Sequence, residues 1–173
     1  PFSITATQAS GAITISMPTH SLAVRSATLT NGAPSSIIAA PSNLVIPNGS
    51  SLGAVTTVSA RIVVDEMNNA GIAELAVINL SGGNDLSETG VISTTAISGS
   101  SNTANVFYSN TARSNLAYRV VGVIDAVKTA GSWGSPTLVQ GAGGEAVSAM
   151  SGFGYGQKWN NVTASRSVGT TYY

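Results

Sequence analysis

The sequence predicts an all-β fold, a sandwich or barrel-like module with Gly-rich loops and at most one short helix. Three observations predict it. Apart from Ala, helix formers are scarce in a chain full of Ser, Thr, Val, Ile, Asn and Gly. Apolar residues alternate with polar ones in short runs, which is the period of a half-buried strand. Gly, Asn and Pro interrupt those runs at the spacing of turns.

Taken in order, Ile13, Ile15 and Met17 alternate with Thr14 and Ser16, giving a strand one apolar and one hydroxyl face. Leu22 and Val24 repeat the pattern. Asn31-Gly32 and Pro47-Asn48-Gly49 read as turns, because Gly and Asn tolerate positive φ. Val58, Ala60, Ile62 and Val64 line one strand face, and Leu75, Val77 and Asn79 the answering one. Asn68-Asn69-Ala70-Gly71 supplies the reversal, so residues 55–80 are expected to form a β-hairpin. Arg61 to Leu80 can also be drawn as two helices broken at Asn69–Gly71. β-Branched residues at 62, 63, 64, 72, 77 and 78 favour strand.

Ser81 to Asp85 opens a polar loop reaching about Gly90. Val91–Ile97 and Val106–Tyr108 are expected as strands around a turn at Gly99–Asn105. Tyr118, Val120, Gly122 and Ile124 alternate with Arg119, Val121, Val123 and Asp125. Both faces are largely apolar, as in a strand running through the centre of a sheet. Lys128 to Pro136 reads as a loop around Trp133. Gln140 to Gly156 is Gly-rich, with Glu145–Met150 the one plausible short helix, and Trp159–Tyr173 returns to β character. The expected organisation is a β-sandwich-like domain over 1–127, a Gly-rich connection over 128–156, and over 157–173 the start of a β segment that is incomplete at Tyr173.

Composition narrows the function. Only 8% of the 173 residues are charged, seven basic and seven acidic, against about 25% in a typical soluble domain. A neutral surface so thin in charge favours self-association. Arg25, Arg61, Arg113, Arg119, Lys128, Lys158 and Arg166 are scattered, whereas nucleic-acid binding needs clustered cations to displace phosphate counterions. No apolar run approaches the ~20 residues of a membrane-spanning helix. The opening Pro-Phe-Ser-Ile-Thr lacks the basic and apolar regions of an export signal. Cysteine is absent, which rules out disulfides and thiolate metal sites.

Several short motifs invite a chemical reading. Gly49-Ser50-Ser51-Leu52-Gly53 fits the nucleophile-elbow pattern, but the single histidine, His20, precedes it and no helix follows. A Ser/Gly turn explains it better. Gly141-Ala142-Gly143-Gly144-Glu145-Ala146 fits a relaxed dinucleotide pattern without a second strand or an acidic ribose ligand, so no cofactor is expected. Asp85 and Glu88, beside Asn84, form the best oxygen cluster for calcium, though EF-hand spacing is missing; a solvated loop is the default. Asp65-Glu66 reads as a polar strand end, and His20 as a surface or packed residue. Asn48, Asn79 and Asn161 head formal glycosylation sequons that arise readily in such a composition. Trp133, Phe153, Tyr155, Trp159, Tyr172 and Tyr173 crowd the last third, either as core or as interface anchors.

The run Tyr155-Gly156-Gln157-Lys158-Trp159-Asn160-Asn161-Val162-Thr163-Ala164-Ser165-Arg166, followed by Val168-Gly169-Thr170-Thr171-Tyr172, resembles a motif of bacteriophage and prophage tail-fibre and related virion proteins. Tyr118–Gly122 and Val139–Met150 are also similar to such proteins, while residues 1–54 are not. The resemblance implies a structural virion component, commonly homotrimeric, without catalytic residues to transfer. Its partners would be its own copies, other virion proteins and a host-surface glycan, and its location the virion. The glycines at 141, 143, 144, 152, 154 and 156 contribute little packing, so the aromatics where this segment meets the motif give the expected subunit interface, Trp159, Tyr155, Phe153 and Tyr172.

Two alternatives stand beside this reading. One is a capsid decoration protein. The other is a carbohydrate-degrading fibre enzyme, which would need two carboxylates roughly 5–9.5 Å apart across a groove. For that role the chain offers Asp65, Glu66, Glu74, Asp85, Glu88, Asp125 and Glu145.

Overall fold

The computed structural model describes residues 2–25, 35–80, 86 and 90–142. These residues form twelve β-strands and no helix, so the expected all-β class is found. The proposed helix at Glu145–Met150, the loop carrying Asp85 and Glu88, and the Asn31-Gly32 turn lie outside the described residues.

A short sheet runs β1 (Thr5–Ala9), β2 (Ala12–Ser16) and β5 (Leu44–Ile46), and a two-stranded ribbon pairs β3 (His20–Val24) with β4 (Ser35–Ala39). The main sheet has seven strands, ordered β11 (Ser132–Trp133), β10 (Arg113–Thr129), β6 (Ser59–Asn69), β7 (Ile72–Asn79), β9 (Tyr108–Ser109) and β8 (Val91–Ala96), with β12 (Leu138–Gly141) also on β10. The first residues of β10 pair with β8 as well, from Arg113↔Thr94 to Ala117↔Val91. The pairings β10–β6–β7–β9–β8–β10 therefore form a closed cycle, in which only β8–β9 is parallel.

Local sequence explains the strands. β6 and β7 turn over Ala70-Gly71, both at positive φ (52° and 90°), the conformation that matches the twist of a two-residue hairpin. Asn68 Oδ1 accepts from Gly71 N at 2.7 Å and closes the reversal. Ser10-Gly11 and Ala130-Gly131 repeat that geometry between β1 and β2 and between β10 and β11. Val58 is 54% exposed in the turn before β6, so the expected strand face starts at Ala60.

Alternation divides the main sheet into two apolar faces. Ala60, Ile62, Val64, Leu75, Val77, Val121, Ile124 and Ala126 join one core with Ile13, Ile15, Leu44 and Ile46 of the short sheet and Leu22, Val24 and Ile37 of the ribbon. Met67, Ala76, Ile92 and Tyr118 make a second cluster with Phe107 and Leu116 packed against it. Val121 enters the first core because the β6–β10 register shifts there, with Val120↔Asp65 followed by Gly122↔Val64. Such a bulge turns a strand's following residues to the other face.

Two expectations for the region after residue 127 change. β10 continues to Thr129, and β11 and β12 fold back on it, so the expected connection is part of the sheet through Gly141. Trp133 is not in a loop: it lies in β11 and is 1% exposed. At Gly122 a Cβ would come within 2.7 Å of the Gln140 carbonyl oxygen, so glycine is what lets β12 lie this close.

Candidate functional site

Three places on the described residues bring polar chemistry together. At one end of β6, Glu74 and Arg113 form a two-pronged ion pair: Nε donates to Oε2 at 2.7 Å and Nη2 to Oε1 at 2.6 Å. Asn69 Nδ2 donates to the same carboxylate at 3.0 Å. The Arg113 hydrogen bonds hold Glu74 below the usual carboxylate range. A pocket of about 140 Å³ opens over this pair, lined by Ser42, Ile72, Glu74, Leu75, Asn110 and Thr111. That is below the roughly 300–1,000 Å³ of ordinary small-molecule sites.

The rim of this pocket is mostly polar, and of its two aliphatic side chains Leu75 is buried and Ile72 faces outward. Ser42 bridges to Glu74, and Asn68 Nδ2 donates to Ser35 Oγ at 3.0 Å, which lays β4 beside the β6–β7 turn. Ile72 and Ile38 thus stand at the same end of the module, 61% and 76% exposed. Val55 and Val58 are exposed at the other end of β6, beside the β10–β11 hairpin, where Thr57 N donates to the Lys128 carbonyl at 2.8 Å. There too an ion pair forms within the chain. Arg61 donates twice to Asp125, at 2.9 and 2.7 Å, and holds that carboxyl below its usual range.

The second place surrounds Trp133. Its Nε1 donates to the Ser50 carbonyl at 2.9 Å, and Lys128 Nζ stands 5.2 Å from its ring centroid. Lys128 is 6% exposed and donates to the carbonyls of Asn48 and Gly131. Burial lowers its pKa. A cation held this way by carbonyls and an indole face is a structural clamp.

The third is one that sequence reasoning missed. His20 Nε2 lies 2.7 Å from Oε2 of Glu66, and Nδ1 lies 2.9 Å from the Pro18 carbonyl. The Glu66 side chain is 1% exposed and burial raises its pKa, against the opposing pull of His20. Phe2 meets the imidazole edge-on with centroids 5.2 Å apart. Both imidazole nitrogens are engaged, so His20 is not placed to take a proton from a bound substrate.

Of the acids offered for a hydrolytic pair, Asp65, Glu66, Glu74 and Asp125 lie among the described residues. Asp65 and Glu66 are neighbours on one strand and so point to opposite faces; Asp65 is fully buried beside its register partners Ala76 and Val120. Glu66, Glu74 and Asp125 are each held by a base. Ser51 of the elbow-like motif donates its N–H to Asn102 Oδ1 at 2.7 Å in an irregular turn, far in sequence and partner from His20. No group of three metal-binding side chains occurs among the described residues, and no helix among them is long and apolar enough to cross a membrane. Phe153, Tyr155, Trp159 and Tyr172, the expected interface, lie outside the described residues. No protein-family model matches the chain, and no curated protein or solved structure matches it either.

Proposed function

We propose that this chain is a structural component of a phage virion, a fibre or appendage module that works by assembly or host adhesion. The observation that carries the reading is the motif at Tyr155–Tyr172, which follows an all-β module in the same chain. The surface supports it. Exposed aliphatics sit at both ends of β6, with an ion pair formed within the chain at each end. Covering such ends removes apolar surface from water, worth roughly 25 cal/mol per Å².

In this proposal the module forms a homotrimer and adjoins other virion proteins, with a host-surface glycan as the outward partner and Trp159, Tyr155, Phe153 and Tyr172 as subunit contacts. Sedimentation equilibrium on the purified chain tests the assembly, with a trimer expected at micromolar concentration and a stable monomer counting against it. Labelling this chain in intact particles by electron microscopy tests the location. Density along a tail appendage supports the fibre reading, and density on the head replaces it with capsid decoration.

A further inference from the structure

We propose that His20 and Glu66 form a proton-dependent latch that holds the β3–β4 ribbon on the main sheet and releases it when the pair loses its shared proton. The argument is a count of hydrogens. The Pro18 carbonyl can only accept, so the 2.9 Å contact requires a hydrogen on Nδ1. The 2.7 Å contact between Nε2 and Glu66 Oε2 requires another hydrogen between those atoms. It belongs to an imidazolium facing a carboxylate, or to a carboxylic acid facing a neutral imidazole. In either form the pair holds one proton more than a neutral histidine and an ionised glutamate. Once that proton leaves, two lone pairs face each other across a site where Glu66 is 1% exposed. Turning the tautomer around only moves the conflict to the Pro18 carbonyl.

Of the groups facing the pair, the Arg119 cation favours the form without the shared proton and so sets the pull that the latch must withstand. Arg119 on β10 is the register partner of Glu66, and its Nη1 donates to the Ala23 carbonyl at 3.3 Å. Leu75 faces Glu66 from β7, Ala39 faces His20 from β4, and Phe2 packs on the imidazole. Among the described residues, Arg119 is the one charged side chain that faces the pair from another element of the sheet.

The latch joins two separate pieces. His20 begins β3, which pairs only with β4, whereas Glu66 lies deep in β6. The ribbon's other ties to the sheet are the apolar side chains Leu22, Val24 and Ile37 and the neutral-acceptor bonds of Ser35 and Ala23. None of these acceptors titrates near neutrality. An ordinary histidine loses its proton near pH 6.5. The unfolded chain therefore binds fewer protons than the latched one above that pH. The latch's contribution is complete between the ordinary carboxyl and histidine values and is lost as pH rises through the point where the pair gives up its proton.

Hydrogen exchange measured by mass spectrometry on the full chain, corrected for intrinsic rates, tests the latch. Opening of residues 20–24 and 35–39 relative to 60–79 is expected to rise about tenfold or more from pH 6 to pH 8, within the limit of tenfold per pH unit for one proton. In Glu66→Gln the amide can donate to a neutral Nε2, so the contact needs no extra proton and the ribbon's pH dependence should vanish. Wild-type opening that does not change with pH overturns the proposal, and so does a Glu66→Gln variant that keeps the wild-type dependence. If that variant fails to fold, the single imidazole of the wild type is read by nitrogen NMR. Proton loss from the pair at or below about pH 6.5 overturns the proposal, and retention above it supports the latch.

Discussion

The β10–β11 hairpin and the β3–β4 ribbon are both small elements laid against the main sheet, and they are fastened by different chemistry. The hairpin is held by Trp133, 1% exposed, and by Lys128 donating to two backbone carbonyls. Trp133 N also donates to the Gly11 carbonyl at 2.9 Å, tying the hairpin to the β1–β2 turn. The ribbon shares apolar contacts with the same core, but its most buried polar tie is the His20–Glu66 pair. The carbonyls accept at every pH, and Lys128, whose pKa burial lowers, still has N–H hydrogens to donate once neutral, whereas an imidazole facing a carboxylate depends on one proton. One fastening is permanent and the other is conditional.

The comparison breaks most visibly at Trp133. Trp133→Ala should cost about 3–5 kcal/mol, the range for truncating a buried aromatic, read as a lower urea midpoint. A loss under about 1 kcal/mol would remove the hairpin from the core. Lys128→Met keeps the stem but leaves the Asn48 and Gly131 carbonyls short of a donor. A cost of about 1–3 kcal/mol is expected, with little change in ribbon exchange. Equal loosening of the ribbon would show that the two fastenings are not independent.

A smaller effect concerns acid. Glu74 has a lowered pKa, so its pairing stabilises the fold above the ordinary carboxyl value and loses that contribution as pH falls through the folded one. Arg113 is 30% exposed, so solvent screens the pair and keeps its contribution small. Glu74→Gln should therefore flatten the acid limb of a stability–pH curve and leave its alkaline limb, where the latch acts, unchanged. Smallest is Ala130→Gly, where the native φ of 49° suits glycine better than alanine. It should raise the urea midpoint by about 0.5 kcal/mol equivalent, the left-handed penalty less the added freedom of the unfolded chain.

Legibility in the sequence followed the range of the interaction. The β6–β7 hairpin and the centre of β10 were readable because alternation and turn residues lie within one stretch of chain. β11 is two residues long, too short to show a period, so Trp133 passed for a loop residue. Ala130-Gly131 was its available signal, the same turn that Ala70-Gly71 makes. His20 and Glu66 are 46 residues apart, and Arg113 and Glu74 are 39 apart. Nothing local to either residue announces its partner. Asp65-Glu66 looked like a polar strand end because composition cannot tell an exposed carboxylate from one enclosed by facing strands.

The closed cycle of strand pairings also orders events in time. Two-residue hairpins such as β6–β7 assemble in roughly 1–10 μs because their halves are already neighbours. β8 has no such neighbour: it precedes β9 and β10 in the chain yet rests between them, parallel to one and antiparallel to the other. Its place is complete only once both β9 and β10 flank it. Loop-closure entropy is lost before such non-local contacts are made, which slows folding.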